Sequence, residues 1–184
     1  MSGSLITDLR RLLGEDAVLT APEDLVRYEE GWRYGKGTAL FAVRPATAAQ
    51  VAATLAACRT AGVRVVPQGA NTGLVGASTP DGSGEMVVLS LERLNRRLEI
   101  DPINRTAKVD GGVLLSALNE ALAAHGLMFP IDLGADPSIG GMIATNTGGT
   151  RLLKYGMNGL LVRSMDCKQR IADCFIQFID VGIE

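Results

Sequence analysis

Val65-Val66-Pro67-Gln68-Gly69-Ala70-Asn71-Thr72-Gly73-Leu74-Val75-Gly76 begins as a β-branched strand, meets a proline and becomes a loop of glycine and small polar residues. A loop of that composition can bring bare backbone N–H groups close to an anion. Glycine permits the positive φ angles that aim successive N–H groups at one point. The segment therefore reads as a diphosphate cradle.

The residues before it supply its scaffold. Leu40-Phe41-Ala42-Val43 is a short apolar run that stops at Arg44-Pro45, the signature of a strand. Thr47-Ala48-Ala49-Gln50 is a capping-box pattern. The helix it opens carries Val51, Leu55 and Cys58 on one face and stops at Gly62. Val63–Val66 is the next strand. Strand, helix and strand at this spacing form a βαβ unit with parallel strands. The loop then leaves the carboxyl end of a parallel strand, where open α/β sheets bind ligands. Further upstream, Leu5, Ile6, Leu9, Leu12 and Leu13 have helical spacing, with Ser4 as N-cap and Gly14 as stop. Asp24–Glu30 reads as a short helix. Trp32-Arg33-Tyr34-Gly35-Lys36 reads as a surface loop with the tryptophan as its anchor.

Downstream, residues 67–85 show little regular pattern, and a structureless loop of that length is uncommon unless it works or is disordered. Met86–Ser90 is a further strand, and Leu94–Arg97 a turn. Leu98–Asp101 and Thr106–Asp110 flank a Pro-Ile-Asn turn and predict an antiparallel hairpin. Gly111-Gly112 ends it. Leu114–His125 is an amphipathic helix closed by Gly126. The change from parallel βαβ to hairpin plus helix places a lobe boundary near residue 95.

A second glycine cluster follows the turn-rich run from Phe129 to Ser138. It reads Ile139-Gly140-Gly141-Met142-Ile143-Ala144-Thr145-Asn146-Thr147-Gly148-Gly149-Thr150, with Lys154-Tyr155-Gly156 close behind. Two Gly-Gly pairs flank a small-residue segment of about one helical turn. A helix N-terminus with adjacent glycines can bind an anion and let a flat ligand approach the backbone. Neither cluster contains GxxxxGK[ST] or GxGxxG, so the P-loop and the standard dinucleotide fold are excluded. Tight turns and close packing are the alternative explanation of each cluster.

The bulk composition excludes other classes. The 184 residues suit one domain or two small lobes, with 47% hydrophobic and 21% charged residues. A net charge of −2 with dispersed Lys and Arg lacks the basic stripe of a nucleic-acid binder. No apolar run approaches the length that spans a bilayer, and the N-terminus lacks a secretory pattern. Cys58, Cys167 and Cys174 are odd in number and contain no CxxC, against both a disulfide framework and a zinc site. A reducing, cytoplasmic setting is expected, with no metal.

Pro67-Gln68-Gly69-Ala70-Asn71-Thr72-Gly73-Leu74 resembles the P-x-G-x-x-T-G-L loop of the FAD-linked oxidases, the vanillyl-alcohol-oxidase-type flavin family. That family includes D-lactate, glycolate and D-2-hydroxyglutarate dehydrogenases. Asp132-Leu133-Gly134, the 139–149 cluster and Lys154-Tyr155-Gly156 resemble its second motif, in the same order and spacing from about Leu40 to Arg163. The resemblance implies an α+β fold of two lobes with FAD between them. The first lobe would be a small parallel βαβ sheet with helices (1–95). The second would hold antiparallel strands with helices (96–163). A divergent tail (164–184) follows. Pro67, Gln68, Gly69, Ala70, Asn71, Thr72, Gly73 and Leu74 would hold the diphosphate from the first lobe. Pro130, Asp132, Gly140, Gly141, Thr145, Asn146, Gly148 and Gly149 would line the flavin and its diphosphate from the second. Some relatives attach the flavin through a histidine in the first loop. Thr72 holds the matching place here, so non-covalent FAD is expected. The one histidine, His125, reads as a helix C-terminal residue, and Asp132 and Asp136 as turn or cap residues.

The resemblance stops after Arg163. Ile171, Phe175, Phe178 and Ile179 would share a helix face, while Cys174–Ile179 is also apolar enough for a strand. The change of composition suggests a truncated reading frame with an altered end. No catalytic acid or base can be assigned. The expected function is the FAD-binding portion of a dehydrogenase that oxidises a D-2-hydroxy acid by hydride transfer to flavin. A flavin-binding fragment without turnover and a same-fold NADPH-dependent reductase are the alternatives. A small hydroxy acid is the expected partner, and a homodimer is left open.

Overall fold

The computed structural model describes residues 2–157, 164–166 and 173–177. The chain divides into two compact units, Met1–Leu94 and Asn95–Glu184, each of mixed α and β structure.

The first unit contains α1 (Ser2–Leu13), β1 (Val18–Leu19), α2 (Pro22–Glu29), β2 (Ala39–Val43), α3 (Ala48–Thr60), β3 (Arg64–Gln68) and β4 (Met86–Ser90). Its sheet runs β1-β2-β4-β3. The last three strands are parallel, and β1 is antiparallel to β2. The two central strands are covered on both faces, which is why Phe41–Val43 and Val87–Leu89 read as unbroken apolar runs. Phe41, Val43, Val87 and Leu89 pack with Leu5, Leu9 and Leu13 of α1 and Val51 and Cys58 of α3. The alternate positions Ala42, Val66 and Val88 pack on the other side with Leu25 and Tyr28 of α2.

Local signals placed most of these elements. The Thr47 hydroxyl accepts from Gln50 N at 3.2 Å and caps α3. Gln50 reaches back one residue further than a capping box requires, to Ala46 N at 2.8 Å. Gly62, with φ of +67°, lies just beyond the helix. One expectation needs correction. Helix α1 starts at Ser2, so Ser4 is inside it and is no N-cap. The strands of the βαβ unit are parallel as expected, and β4 lies between β2 and β3. Strand β3 is thereby an edge, which accommodates Pro67 without loss of a ladder bond on its open side.

The second unit contains β5 (Leu98–Asp101), β6 (Thr106–Asp110), α4 (Leu115–Ala123), α5 (Ile139–Ala144), α6 (Leu152–Tyr155), β7 (Ser164–Asp166) and β8 (Asp173–Gln177). Its antiparallel sheet runs β5-β6-β8-β7. The hairpin falls where its Pro-Ile-Asn turn predicts. Asp101 accepts from Ile103 N, Asn104 N and Asn104 Nδ2 at 3.1, 2.9 and 2.7 Å, and these bonds hold its carboxyl below the usual carboxylate range. The buried Asp110 accepts from Arg96 N and Arg97 N, at 3.0 and 2.9 Å, and fixes the preceding turn. Leu115, Leu118 and Leu122 of α4 pack with Val109, Phe129, Ile131, Ile139 and Met142. Of the helix and the strand left open around Phe175, the strand is found: residues 173–177 form β8 beside β6. Ile171, Phe178, Ile179 and Cys167 lie outside the described residues.

Candidate functional site

The first candidate segment leaves the carboxyl end of β3. Pro67 and Gln68 are its last two strand residues, and Gly69, Ala70, Asn71, Thr72, Gly73 and Leu74 form the loop. Among the described residues, the backbone N–H groups from Ala70 to Val75 donate to no protein acceptor. A run of unengaged donors on a chain of small residues fits a diphosphate. The left-handed conformations fall on Asn71 (φ +57°) and Gly76 (φ +68°), where the sequence reading looked to the glycines in general.

The two amide side chains of this segment face the protein. Gln68 is 2% exposed, and its Nε2 donates to Tyr28 O at 2.9 Å and Ser78 O at 2.8 Å. Asn71 Nδ2 donates to Glu30 O at 2.6 Å and Arg27 O at 3.4 Å. Its Oδ1 accepts from Ser78 Oγ at 2.8 Å, and its carbonyl accepts from Trp32 N at 3.2 Å. The loop is thus tied to the C-terminal end of α2 and the turn after it. Gly35, with φ of +90°, lies so close to Gly76 that a Cβ on it would sit 2.8 Å from the Gly76 Cα. Trp32 is not the anchor expected of it. It is 64% exposed, and its backbone N–H makes the contact.

Beside the loop lies an open groove of about 650 Å³, lined by Arg27, Tyr28, Glu30, Trp32, Arg44, Ala70 and Asn71 among others. Glu92, just beyond β4, organises this side of the unit. It pairs with Arg27, accepts from the Tyr28 hydroxyl at 2.8 Å and lies 3.4 Å from Arg44 Nη1. Burial, then the Glu92 hydrogen bond and charge, push the Tyr28 hydroxyl above its usual pKa. The sequence offered no signal for this cluster, whose members lie 64 and 48 residues apart.

The second segment lies in the second unit. Pro130 is buried and Asp132 exposed in the turn-rich run, Gly140 and Gly141 are in α5, and Thr145 is its C-cap. Asn146 follows in the left-handed region, with φ of +48°. Gly148 and Gly149 precede α6. The N-terminus of α5 is not an open anion site. Ile139 N and Gly140 N donate to Val113 O and Gly111 O, both at 2.8 Å, and Met142 N to Ser138 O at 3.0 Å. Gly141 N donates to Ser138 Oγ at 3.3 Å. Every early N–H of this short helix is already engaged. Two of the glycines serve close packing. A Cβ on Gly140 would stand 2.8 Å from Gly111 O, and one on Gly149 would stand 2.5 Å from Asp132 O. Asp132 and residues 149–150 are brought together, because Thr150 donates to Asp132 through N and Oγ1, both at 3.0 Å. Exposed faces remain on Thr145 and Asn146.

The other polar candidates have structural work. Asp136 accepts from Ser116 N at 2.9 Å and Ser116 Oγ at 2.6 Å, capping α4 from a distant loop, and Asp132 holds Thr150. His125 is exposed just past α4, its N–H bonded to Leu122 O at 2.9 Å. Cys58 is buried, which pushes its thiol up. Among the described residues no group of three or more His, Cys, Asp or Glu is placed to hold a metal, and no helix is long and apolar enough to cross a membrane.

Known proteins bear on this geometry. The profile of the FAD binding domain family matches residues 39–168. A D-2-hydroxyglutarate dehydrogenase of Xanthomonas citri pv. viticola is 37% identical over 159 residues, covering 85% of this chain and 33% of the relative. A D-lactate dehydrogenase of Anaerostipes hadrus is 38% identical over 133 residues, covering 72% of this chain and 28% of the relative. The chain thus spans about a third or less of the length of these relatives. Among solved structures, an alkyldihydroxyacetonephosphate synthase superimposes with a TM-score of 0.81 at 17% identity, over 95% of this chain and 40% of that one. At that identity the likeness concerns the fold.

Proposed function

This chain belongs to the FAD binding domain family, and we propose from that premise that it is the FAD-binding portion of a dehydrogenase acting on D-2-hydroxy acids. Its cofactor is FAD. The observation that carries the substrate class is the identity of 37% and 38% to relatives named D-2-hydroxyglutarate and D-lactate dehydrogenases. The N–H groups from Ala70 to Val75 would hold the diphosphate, with Thr72 free of any covalent role, so the cofactor is bound non-covalently. Within the second unit, Thr145, Asn146, Gly148 and Gly149, with Pro130, Asp132, Gly140 and Gly141, would be the residues that contribute to cofactor binding. Bound FAD supplies the redox chemistry, taking a hydride equivalent from the substrate, while the chain binds and orients it.

The test is direct. The purified chain is expected to retain FAD through gel filtration and denaturation to release all of it. Anaerobic addition of D-lactate or D-2-hydroxyglutarate should then bleach the visible flavin band. A chain that binds no FAD overturns the proposal. A yellow chain that no D-2-hydroxy acid bleaches supports the second reading, a flavin-binding piece without turnover. Bleaching by NADPH alone would instead indicate a reductase. The cytoplasmic setting and a homodimer belong to the same proposal, tested by fractionation and light scattering.

A further inference from the structure

An irregular loop that must present its own N–H groups to an anion has to be held by something else. In this chain that role falls to side-chain amides. Gln68 bridges Tyr28 O and Ser78 O. Asn71 bridges Glu30 O and Arg27 O on one side and Ser78 Oγ on the other. The loop, the C-terminal end of α2 and the returning chain at Ser78 are thus fastened together without engaging the N–H groups from Ala70 to Val75.

We propose that Gln68, Asn71 and Ser78 are positioning residues that lock the loop in its diphosphate-binding form, and that neither amide is itself a cofactor ligand. The inference rests on the reading of residues 69–76 as the diphosphate loop. Asn71 serves twice, because asparagine tolerates the left-handed conformation it adopts and its side chain reaches the turn. Ser78, outside the loop's glycine run, matters because its hydroxyl orients the Asn71 amide so that Nδ2 faces the two carbonyls.

The test uses the full chain, its FAD dissociation constant and the ³¹P resonances of bound FAD at saturation. Asn71→Gly keeps the backbone conformation and removes the clamp. Ser78→Ala removes one hydrogen bond, and Ser78→Thr restores the hydroxyl. The first two variants are expected to weaken FAD binding roughly two- to tenfold for each hydrogen bond lost. Their ³¹P resonances should move towards those of free FAD, and Ser78→Thr should match the wild type. Should Asn71→Gly fail to fold, Ser78→Ala carries the test. Wild-type affinity and resonances in Ser78→Ala would overturn the inference and leave FAD binding intact. A wild-type chain that binds no FAD would overturn both.

Discussion

Tyr28 shows how one hydroxyl couples the α2 face to the strand ends. It is 2% exposed and donates to Glu92, which also meets Arg27 and Arg44. Burial and Glu92 raise its pKa in the folded chain. A raised pKa contributes stability that is present below the unfolded value, about 10 for tyrosine, and lost as pH climbs through the folded value. Tyr28→Phe is therefore expected to cost about 1 kcal/mol at neutral pH. The gap to wild type should close in urea titrations above about pH 10. A gap that stays constant with pH would exclude the hydroxyl as its source. Glycines separate just as cleanly. Gly140→Ala would drive a Cβ against the Gly111 backbone and is expected to cost about 1–3 kcal/mol. Gly73→Ala meets only Ser78 Oγ, at 3.9 Å, and should stay within about 0.5 kcal/mol in thermal melts. The sequence located both glycine clusters but could not sort them. That distinction depends on a second backbone segment, Gly111 for one, whose approach no local pattern encodes. The same holds for Gln68 and Asn71, whose direction is set by carbonyls about forty residues upstream.

At the scale of elements, local chemistry was legible and long-range chemistry was not. The β5–β6 hairpin has its predicted bounds because Asp101 and Asn104 write the turn within four residues. The α3 start was legible because Thr47 and Gln50 are both beside it. Helix α4 was placed from its leucine spacing, but its cap was not, since Leu114 offers no capping side chain. Asp136 supplies that acceptor from twenty residues away. Asp136→Ala should therefore cost about 1 kcal/mol, as loss of an N-cap does. Faster amide exchange should appear at Ser116 and the first turn of α4, and exchange unchanged there would show the contact to be incidental. Strand order was also hidden. Nothing near β4 announces that it pairs between β2 and β3, and β8 finds β6 across about seventy residues of chain.

At the scale of the whole molecule, each unit carries a core of its own, and each core can be tested within its unit. In the first, Leu9 is fully buried between α1 and the face formed by Phe41, Val43, Val87 and Leu89. In the second, Leu118 is fully buried with Val109, Phe129 and Met142. Truncation of either removes methylenes from a close-packed site and leaves a cavity, at a cost of about 2–5 kcal/mol. Leu9→Ala is expected to raise amide exchange in β2 and β4, and Leu118→Ala in β6. The consequence for function follows from where the loop begins. Its first residues continue β3, whose ladder to β4 runs from Arg64 to Gln68, so loosening β4 loosens the base of the cradle. Leu9→Ala should therefore weaken FAD retention although Leu9 lies on the helical layer behind the sheet. A Leu9→Ala chain that exchanges faster in β4 yet holds FAD as tightly as wild type would show that the side-chain clamp at Asn71 fixes the loop without help from the strand beneath it.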